Sequence, residues 1–419
     1  MPDLLSPDDA VSRILSVIAP MGDERVALSE ALDRVLAAPA ISEIDLPPFA
    51  NSSMDGFAVR AGDTRGASAD APIRLSVVMD IPAGSAPTGE IEAGSAARIM
   101  TGAPLPQGAD AVVPVEDTDQ SWRSGDSSPL PGRVAVLKQV RAGDSVRPVG
   151  EDIRIGQTLI AAGVVLRPQE LGALAAIGCA EVPVVRRPRV AIISTGDELV
   201  EVDQPLAPGK IRDSNSITLA GLIRRCGGEA LRLPIARDTL EDVRARFQAA
   251  LAQSPDMILS SAGVSVGAFD VVRAVLDELG EIGFWRVNLR PGKPLAFGAL
   301  GGRRVPFFGL PGNPVSAMVT FDVFVRPALL KMSRRPDAVP TVQAVVDEAI
   351  RSDGRRSYLR AFLTRQADGW HARLTGTQSS GALMSMVLAD GLLIVPEGVT
   401  DVPVGAPLTV RVLKDISGV

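Results

Sequence analysis

Apolar and polar positions along the chain follow three textures, and each predicts a different kind of element. Near the start, Ser6-Pro-Asp-Asp reads as an N-cap followed by proline, and Val11, Ile14, Leu15 and Ile18 fall at helical spacing, so the first forty residues are expected to be helical. From about Ile44 to Val149 short β-like runs take over, among them Ile73–Met79, Ala96–Met100, Ala111–Val115 and Val134–Leu137, separated by Gly, Pro and Asp. They predict a small β-rich domain, with Ser121–Arg133 as an exposed loop. Leu166–Gly178 returns to a helix pattern with glycine just past its end. Because it resumes the early texture, the β-rich piece reads as an insertion into one domain.

From Arg189 onward strands and helices alternate. Arg189–Gly196, Glu229–Ile235, Met257–Ser260 and Phe284–Val287 read as strands; Asn215–Cys226, Leu240–Leu251, Asp270–Leu279 and Val315–Leu330 read as helices. Helices of this length between strands predict a parallel sheet covered on both faces. In such a sheet the strand ends share one edge, and the loops that follow them converge in one crevice. After Arg334-Arg-Pro336 the texture is β-like to the end, as in Gly391–Pro396 and Leu408–Leu413, and predicts a separate small barrel or sandwich.

Composition narrows what such a protein does. A chain of 419 residues with 46% hydrophobic and 22% charged residues is a globular protein of several domains. A net charge of −6 argues against nucleic acid as a partner. No run approaches the ~20 apolar residues of a membrane span, and the N-terminus lacks a signal-peptide pattern, so a cytoplasmic location is expected. Cys179 and Cys226 form no Cys-x-x-Cys pair and read as packing groups. The single histidine, His371, sits in an alternating run that suggests a solvent-facing strand position, which leaves little support for a Ser-His-Asp triad.

Chemistry must then rest on carboxylates, cations and hydroxyls. Neither a Walker A nor a Gly-x-Gly-x-x-Gly motif is present. Ser260-Ser-Ala-Gly-Val-Ser-Val-Gly267 is instead a glycine and serine nest before a helix, and with Arg286, Arg290 and Lys293 it describes an anion site. Asp197, Glu198, Asp238 and Asp270 follow strands of the same sheet. Carboxylates crowded beside a phosphate nest call for a divalent cation, so Mg²⁺ is expected, although Asp238 and Asp270 also suit helix N-caps. In the β-rich region Asp55-Gly56 reads by itself as a hairpin turn, and Thr101-Gly-Ala-Pro104 as another turn.

Taken together these motifs resemble one family. Asn51–Ala58, Arg98–Pro104, Gly150–Ile153, Ser194–Leu199, Gly263–Gly267, Pro291–Pro294 and Leu310–Ser316 occur in this order. The chain resembles the molybdopterin molybdenumtransferases, the family that includes the E domain of gephyrin, from its first helix to its C-terminal barrel. The resemblance implies an α/β multidomain protein. A linking domain (1–45 and 146–185) carries a β-rich insertion (46–145), followed by a doubly wound parallel-sheet domain (186–333) that binds molybdopterin and a C-terminal β-barrel (334–419). It implies Mg²⁺-dependent insertion of molybdenum from molybdate into adenylyl-molybdopterin, with release of AMP.

It also implies a homodimer with active sites shared between subunits, and transient contact with a molybdopterin adenylyltransferase and with molybdoenzymes. Asp55, Thr101, Asp152, Glu198, Asp238 and Asp270 match the family's catalytic positions, with Glu198, Asp238 and Asp270 as magnesium ligands. Thr195, Gly196, Gly263, Ser265, Gly267, Pro311 and Pro314 would bind the nucleotide or pterin phosphate. Arg286, Arg290, Lys293, Arg360 and Ser380 would receive molybdate, where several charge-assisted donors suit a tetrahedral dianion. Ser379 adjoins Ser380 and competes for the same role. The chain departs from the family where Arg286 and Arg290 replace common lysines and Ser-Ser-Ala-Gly replaces a Gly-Gly pair; arginine keeps the charge. The rival readings are molybdopterin adenylylation and a scaffold of the same fold that binds a partner peptide.

Overall fold

The computed structural model describes residues 4–121, 129–261 and 269–414; the side chains of Phe269 and Asp270 lie outside the description. The chain divides into two compact units. One comprises Met1–Val26, Asp33–Ala37 and Pro183–Val419, the other Ala27–Leu32 and Ala38–Val182.

Helix α1 (Pro7–Val17) starts as its sequence directs, with the Ser6 hydroxyl accepting from the Asp9 amide at 3.1 Å. The expectation of forty helical residues is corrected, because Asp23–Ala27 is a strand and Leu28–Glu30 a single 3₁₀ turn. Pro20 and Gly22 break the helical run before the alternating segment begins.

In the second unit, β1 (Gly56–Val59), β2 (Ile73–Ile81), β3 (Ser95–Ile99), β4 (Ala111–Pro114) and β5 (Arg133–Val136) form one sheet in the order β4-β1-β3-β2-β5. Along β2 the buried positions alternate through Leu75, Val77, Met79 and Ile81, the period of a strand with one covered face. Asp55-Gly56 is not a hairpin turn. Asn51–Ser52 pairs with Val146–Arg147, whereas β1 pairs with β3 and β4, so the segments on either side of Asp55 do not face each other. Gly56 is required for space, since a Cβ there would lie 2.0 Å from the Val113 carbonyl oxygen of β4. Thr101-Gly102 does turn, with Gly102 at φ +82°. Helix α2 (Pro168–Ala176) ends before Gly178, at φ +83°.

The first unit holds the strand–helix alternation: β6 (Arg189–Ser194), α3 (Ser214–Arg225), β7 (Glu229–Arg232), α4 (Leu240–Ala252), β8 (Met257–Ser261), α5 (Phe269–Leu279), β9 (Gly280–Arg286), β10 (Pro294–Leu300) and β11 (Val305–Leu310). The sheet order is β7-β6-β8-β11-β10-β9. Neighbouring residues within a strand enter opposite cores. Val190, Ile192 and Phe308 join α3 on one face, while Ala191, Ile193 and Phe307 join α4 and α5 on the other. That two-sided burial explains the continuous apolar runs.

The sheet is mixed rather than purely parallel. β10 runs antiparallel to both β11 and β9, and sequence reading passed over it. Its run Pro294-Leu-Ala-Phe-Gly-Ala-Leu300, followed by Gly301 at φ +65°, was a legible hairpin signal. Two antiparallel steps restore the direction of β9, so its C-terminal end still falls on the same edge as those of β6, β8 and β11. The long terminal helix is α6 (Pro314–Thr320) and α7 (Arg326–Met332), joined through a π segment at Phe321–Val325.

Beyond it, β12 (Thr341–Val346), β13 (Arg356–Gln366), β14 (Gly369–Leu374), β15 (Gly391–Val395) and β16 (Pro407–Val412) close on themselves in the order β13-β14-β12-β16-β15-β13, a five-stranded barrel. Leu359, Ala361 and Leu363 fill its interior, while Tyr358, on the opposite face of β13, joins the core that covers the α/β sheet. Short helix α8 (Leu383–Leu388) lies between β14 and β15.

His371 is more enclosed than its strand pattern suggested, with 11% of its side chain exposed between Asp347 (2.7 Å) and Asp368 (3.0 Å). Hydrogen bonds to Asp347 and then Asp368 raise its pKa above the ordinary histidine range. A raised folded-state pKa contributes stability that is complete below the unfolded value of about 6.5 and is lost as pH rises through the folded value. His371→Asn is expected to lower the unfolding temperature most at pH 5.5–6. By pH 9 the difference should be nearly gone, as thermal scans across pH would record.

Candidate functional site

The C-terminal ends of β6, β8 and β11 open onto a cleft of about 720 Å³. Buried hydroxyls stand at these strand ends, and of them Thr195 lines the cleft. Ser194, Thr195 and Ser260 are each at most 2% exposed, and their side-chain oxygens have no hydrogen-bond partner among the described residues. Buried hydroxyls normally find partners, so a row of them at a sheet edge marks a place built for a polar ligand.

Glu198, Asp213 and Asp238 bring carboxylates to the cleft. Asp197 and Asp238 hold each other through reciprocal bonds, each backbone amide donating to the other's carboxylate at 3.3 Å. That pairing engages one oxygen of Asp238 and leaves its Oδ1 buried, with no partner among the described residues. Glu198 folds back over the cleft floor, so a Cβ on Gly196 would lie 2.5 Å from Glu198 Oε2. Thr195, Gly196, Glu198, Asp238, Pro311 and Pro314 all line the cleft. Burial raises the Cys226 thiol to about 11, in keeping with a packing role.

The cations form a second group. The Arg290–Gly292 turn returns the chain from β9 to β10; Gly292, at φ +106°, would place a Cβ 2.7 Å from Thr320 Cγ2. Leu289–Arg290 pairs with Arg356–Ser357, which attaches this turn to the start of β13. Arg360, four residues after Arg356 on the same strand, is 1% exposed. Its Nε donates to Ser385 Oγ at 3.0 Å, and its Nη2 donates to the Ser379 carbonyl at 3.1 Å and the Thr377 carbonyl at 3.4 Å.

All these acceptors are neutral, and among the described residues no carboxylate pairs with Arg360. Burial, and secondarily the nearby Arg290, hold its pKa down at about 10. Arg290 itself is half-exposed and lies 3.8 Å from the Asp353 carboxylate. Arg286 and Lys293 are exposed, and none of these four cations lines the cleft proper. Ser380 turns toward the cleft: its hydroxyl accepts from Asn313 Nδ2 at 3.0 Å and its carbonyl from the Val315 amide at 3.1 Å. Ser379 offers its carbonyl to Arg360 instead.

Three sequence-selected residues lie in the other unit. The Asp55 carboxylate accepts from both the amide (2.7 Å) and the hydroxyl (2.8 Å) of Thr101, so the two form one polar corner, with no ion pair to Asp55 among the described residues. Asp152 is exposed, its amide held by the Leu46 carbonyl at 3.0 Å. Gly263, Ser265 and Gly267 lie outside the described residues, as does the Asp270 side chain. Among the described residues no group of three His, Cys, Asp or Glu side chains gathers to hold a metal.

Sequence reading missed three cleft residues. Asp213, 2% exposed, caps α3 through the Ser216 amide at 3.0 Å. Asn215 donates to Ser261 Oγ at 2.8 Å and to the Gly312 carbonyl at 2.7 Å. Asn313 stands at the N-cap of α6 yet makes no capping bond, its amide going to Ser380. The Asp-Ser-Asn run before α3 was a legible N-cap signal; nothing local revealed where Asn215 points.

Fold and site thus define a multidomain α/β protein with a polar cleft at its strand ends, next to a barrel carrying a buried, unneutralised arginine. Comparison with known proteins agrees. The MoeA N-terminal region (domain I and II) matches residues 5–178, the probable molybdopterin binding domain 191–331, and the MoeA C-terminal region (domain IV) 343–413. Molybdopterin molybdenumtransferase 2 of Mycobacterium tuberculosis is 41% identical over 92% of this chain and 94% of its own. The molybdopterin molybdenumtransferase of Haemophilus influenzae is 34% identical over 99% and 100%. The crystal structure of a molybdopterin biosynthesis MoeA protein from Pyrococcus horikosii superposes with a TM-score of 0.80 at 33% identity, covering 98% of this chain and all of that one. The chain belongs to the molybdopterin molybdenumtransferase family. Among the described residues no helix is long and apolar enough to cross a membrane.

Proposed function

We propose that this protein is the transferase that inserts molybdenum from molybdate into adenylyl-molybdopterin and releases AMP. The observation that carries the reading is Arg360, a buried cation given only neutral acceptors, on a barrel strand whose neighbouring loop reaches the strand-end cleft. Burying a guanidinium without a counter-ion is costly, and an oxyanion substrate supplies the missing charge. In this reading Arg360 and Arg290, with Arg286, Lys293 and Ser380, receive molybdate. Thr195, Gly196, Pro311, Pro314 and the Gly263–Gly267 loop hold the adenylated pterin. Asp238, Glu198 and Asp270 serve the phosphoanhydride.

The donor set fits a magnesium ion, since all its atoms are oxygens and the Asp238 Oδ1 is buried without a partner among the described residues. Asp238, Glu198 and Asp270 would hold it, and its charge would offset that of the phosphoanhydride. The chain's own part is to fix both substrates, keep Asp238 oriented through its reciprocal bonds with Asp197, and orient donors toward the oxyanion.

Measuring AMP release from adenylyl-molybdopterin tests the proposal. Release that requires Mg²⁺, rises with molybdate and yields active molybdenum cofactor is expected; release indifferent to molybdate would defeat it.

A homodimer with shared sites belongs to the same proposal, as do transient contacts with a molybdopterin adenylyltransferase and with recipient molybdoenzymes. The Asp55–Thr101 corner, with no ion pair to Asp55 among the described residues, suits a role completed by a second copy. Asp55→Ala and Asp238→Ala are each expected to be inactive. Exchanging their subunits in equal amounts should restore about a quarter of wild-type activity, because half the dimers are mixed and each carries one intact site. No recovery on mixing would argue for sites within one subunit.

A further inference from the structure

A chain of hydrogen bonds joined through adjoining residues crosses the cleft, and Asn215 and Asn313 are its bridging members. It starts at Ser261, the last residue of β8, whose hydroxyl accepts from Asn215. The same amide group of Asn215 holds the Gly312 carbonyl. The next residue, Asn313, donates to Ser380 Oγ, and the Ser380 carbonyl takes the Val315 amide. Ser379, adjoining Ser380, accepts from Arg360 Nη2.

The route therefore runs from the end of β8, over the Pro-Gly-Asn-Pro segment, to the buried guanidinium. Two features set it apart from incidental bonding. Asn215 uses both amide hydrogens on acceptors from a strand end and a loop, at sequence separations of 46 and 97 residues. Asn313 occupies an N-cap, where an asparagine oxygen ordinarily accepts from its own helix, yet it makes no capping bond and its Nδ2 donates to the barrel loop.

We infer that Asn215 and Asn313 are positioning residues that couple oxyanion occupancy at Arg360 to the geometry of the adenylate side of the cleft. The inference rests on the functional reading above. Neither residue touches the reacting atoms in this scheme; each fixes the loop between the two subsites. Binding at one subsite then changes affinity at the other, and removing either link weakens both.

The test titrates molybdate against full-length wild type, Asn215→Ala, Asn313→Ala and the double variant. Two readouts are followed: AMP release at saturating adenylate, and calorimetric binding of molybdate alone. Each single change should raise the half-saturating molybdate concentration about 5-fold and lower kcat about 10-fold, and KM for the adenylate in the presence of molybdate should rise by a similar factor, as reciprocal coupling requires. Because the links lie in series, the double variant should be little worse than the poorer single one. Ser261→Ala, which deletes only a hydroxyl, gives the same reading if Asn215→Ala fails to fold.

Variants that bind molybdate like wild type, or whose effects multiply independently in the double, overturn the coupling. A wild type that binds molybdate but releases no AMP overturns the transferase reading alone, since the binding titration still reports on the chain of bonds.

Discussion

Asp238→Asn is expected to lower the single-turnover rate of adenylate cleavage by at least about 100-fold, the range for losing one charge-stabilising group at a reacting centre. The substitution changes little else. Its amide oxygen can still accept from the Asp197 amide, and its own backbone amide still meets Asp197 Oδ1. Thermal unfolding should therefore shift by no more than about 2 °C, because a partly exposed, isosteric replacement away from the core costs little. The charge matters because Oδ1 is buried and unpartnered among the described residues. A carboxylate oxygen in that state is held ready for a cation or a polar substrate group, whereas a structural N-cap would already be satisfied. A rate within threefold of wild type would leave Asp238 only its reciprocal bonds with Asp197, since the cap of α4 expected of it is supplied by Thr239, whose side chain accepts from the Asp242 amide.

Arg360→Met separates function from stability in the opposite direction. At neutral pH the guanidinium is charged, buried and without a carboxylate partner among the described residues, and its pKa of about 10 records the cost. The sign follows from linkage. A cation whose folded pKa is depressed destabilises the native state below that pKa, and stability recovers as pH rises through about 10 toward the unfolded value. The penalty is on the order of 3 kcal/mol by the usual conversion of a pKa shift. Methionine fills similar space without the charge, so Arg360→Met should unfold at a temperature equal to or above wild type. The same variant should lose at least about 100-fold in molybdate affinity and all molybdate stimulation of AMP release. A variant that is markedly less stable, yet still responds to molybdate, would make Arg360 a structural strut.

These two residues show how differently the parts of the site are written in the chain. Asp238 was legible because it follows a strand and precedes a helix, and the sheet-edge rule carries such residues to a common crevice whatever the details of packing. Thr195, Gly196, Glu198, Pro311 and Pro314 reached the cleft for the same reason. Arg360 was singled out only through resemblance. By alternation it is one more position on a strand, and its surroundings arise from the closing of the barrel onto the core that Tyr358 enters. Asn215 and Gly312, 97 residues apart, meet because α3 and the loop after β11 flank the same strand end, a neighbourhood set by strand order.

The errors divide along the same line. Gly56 looked like a turn glycine, and only its strand neighbour Val113 reveals that it is there for room. The antiparallel β10 escaped because its direction depends on hairpin closure at Gly301.

By itself, then, the sequence determined most of the helices and strands from α1 onward, though not the strand at Asp23–Ala27 or β10, together with the burial of the central sheet on both faces and the motifs at its strand ends. Those features are encoded over a few residues by periodicity and turn chemistry. The tertiary structure alone decided the strand order, the burial of Arg360 without a counter-ion, and the bridging bonds of Asn215 and Asn313. Each of these depends on contacts between segments tens to hundreds of residues apart, and local propensity carries no record of such contacts.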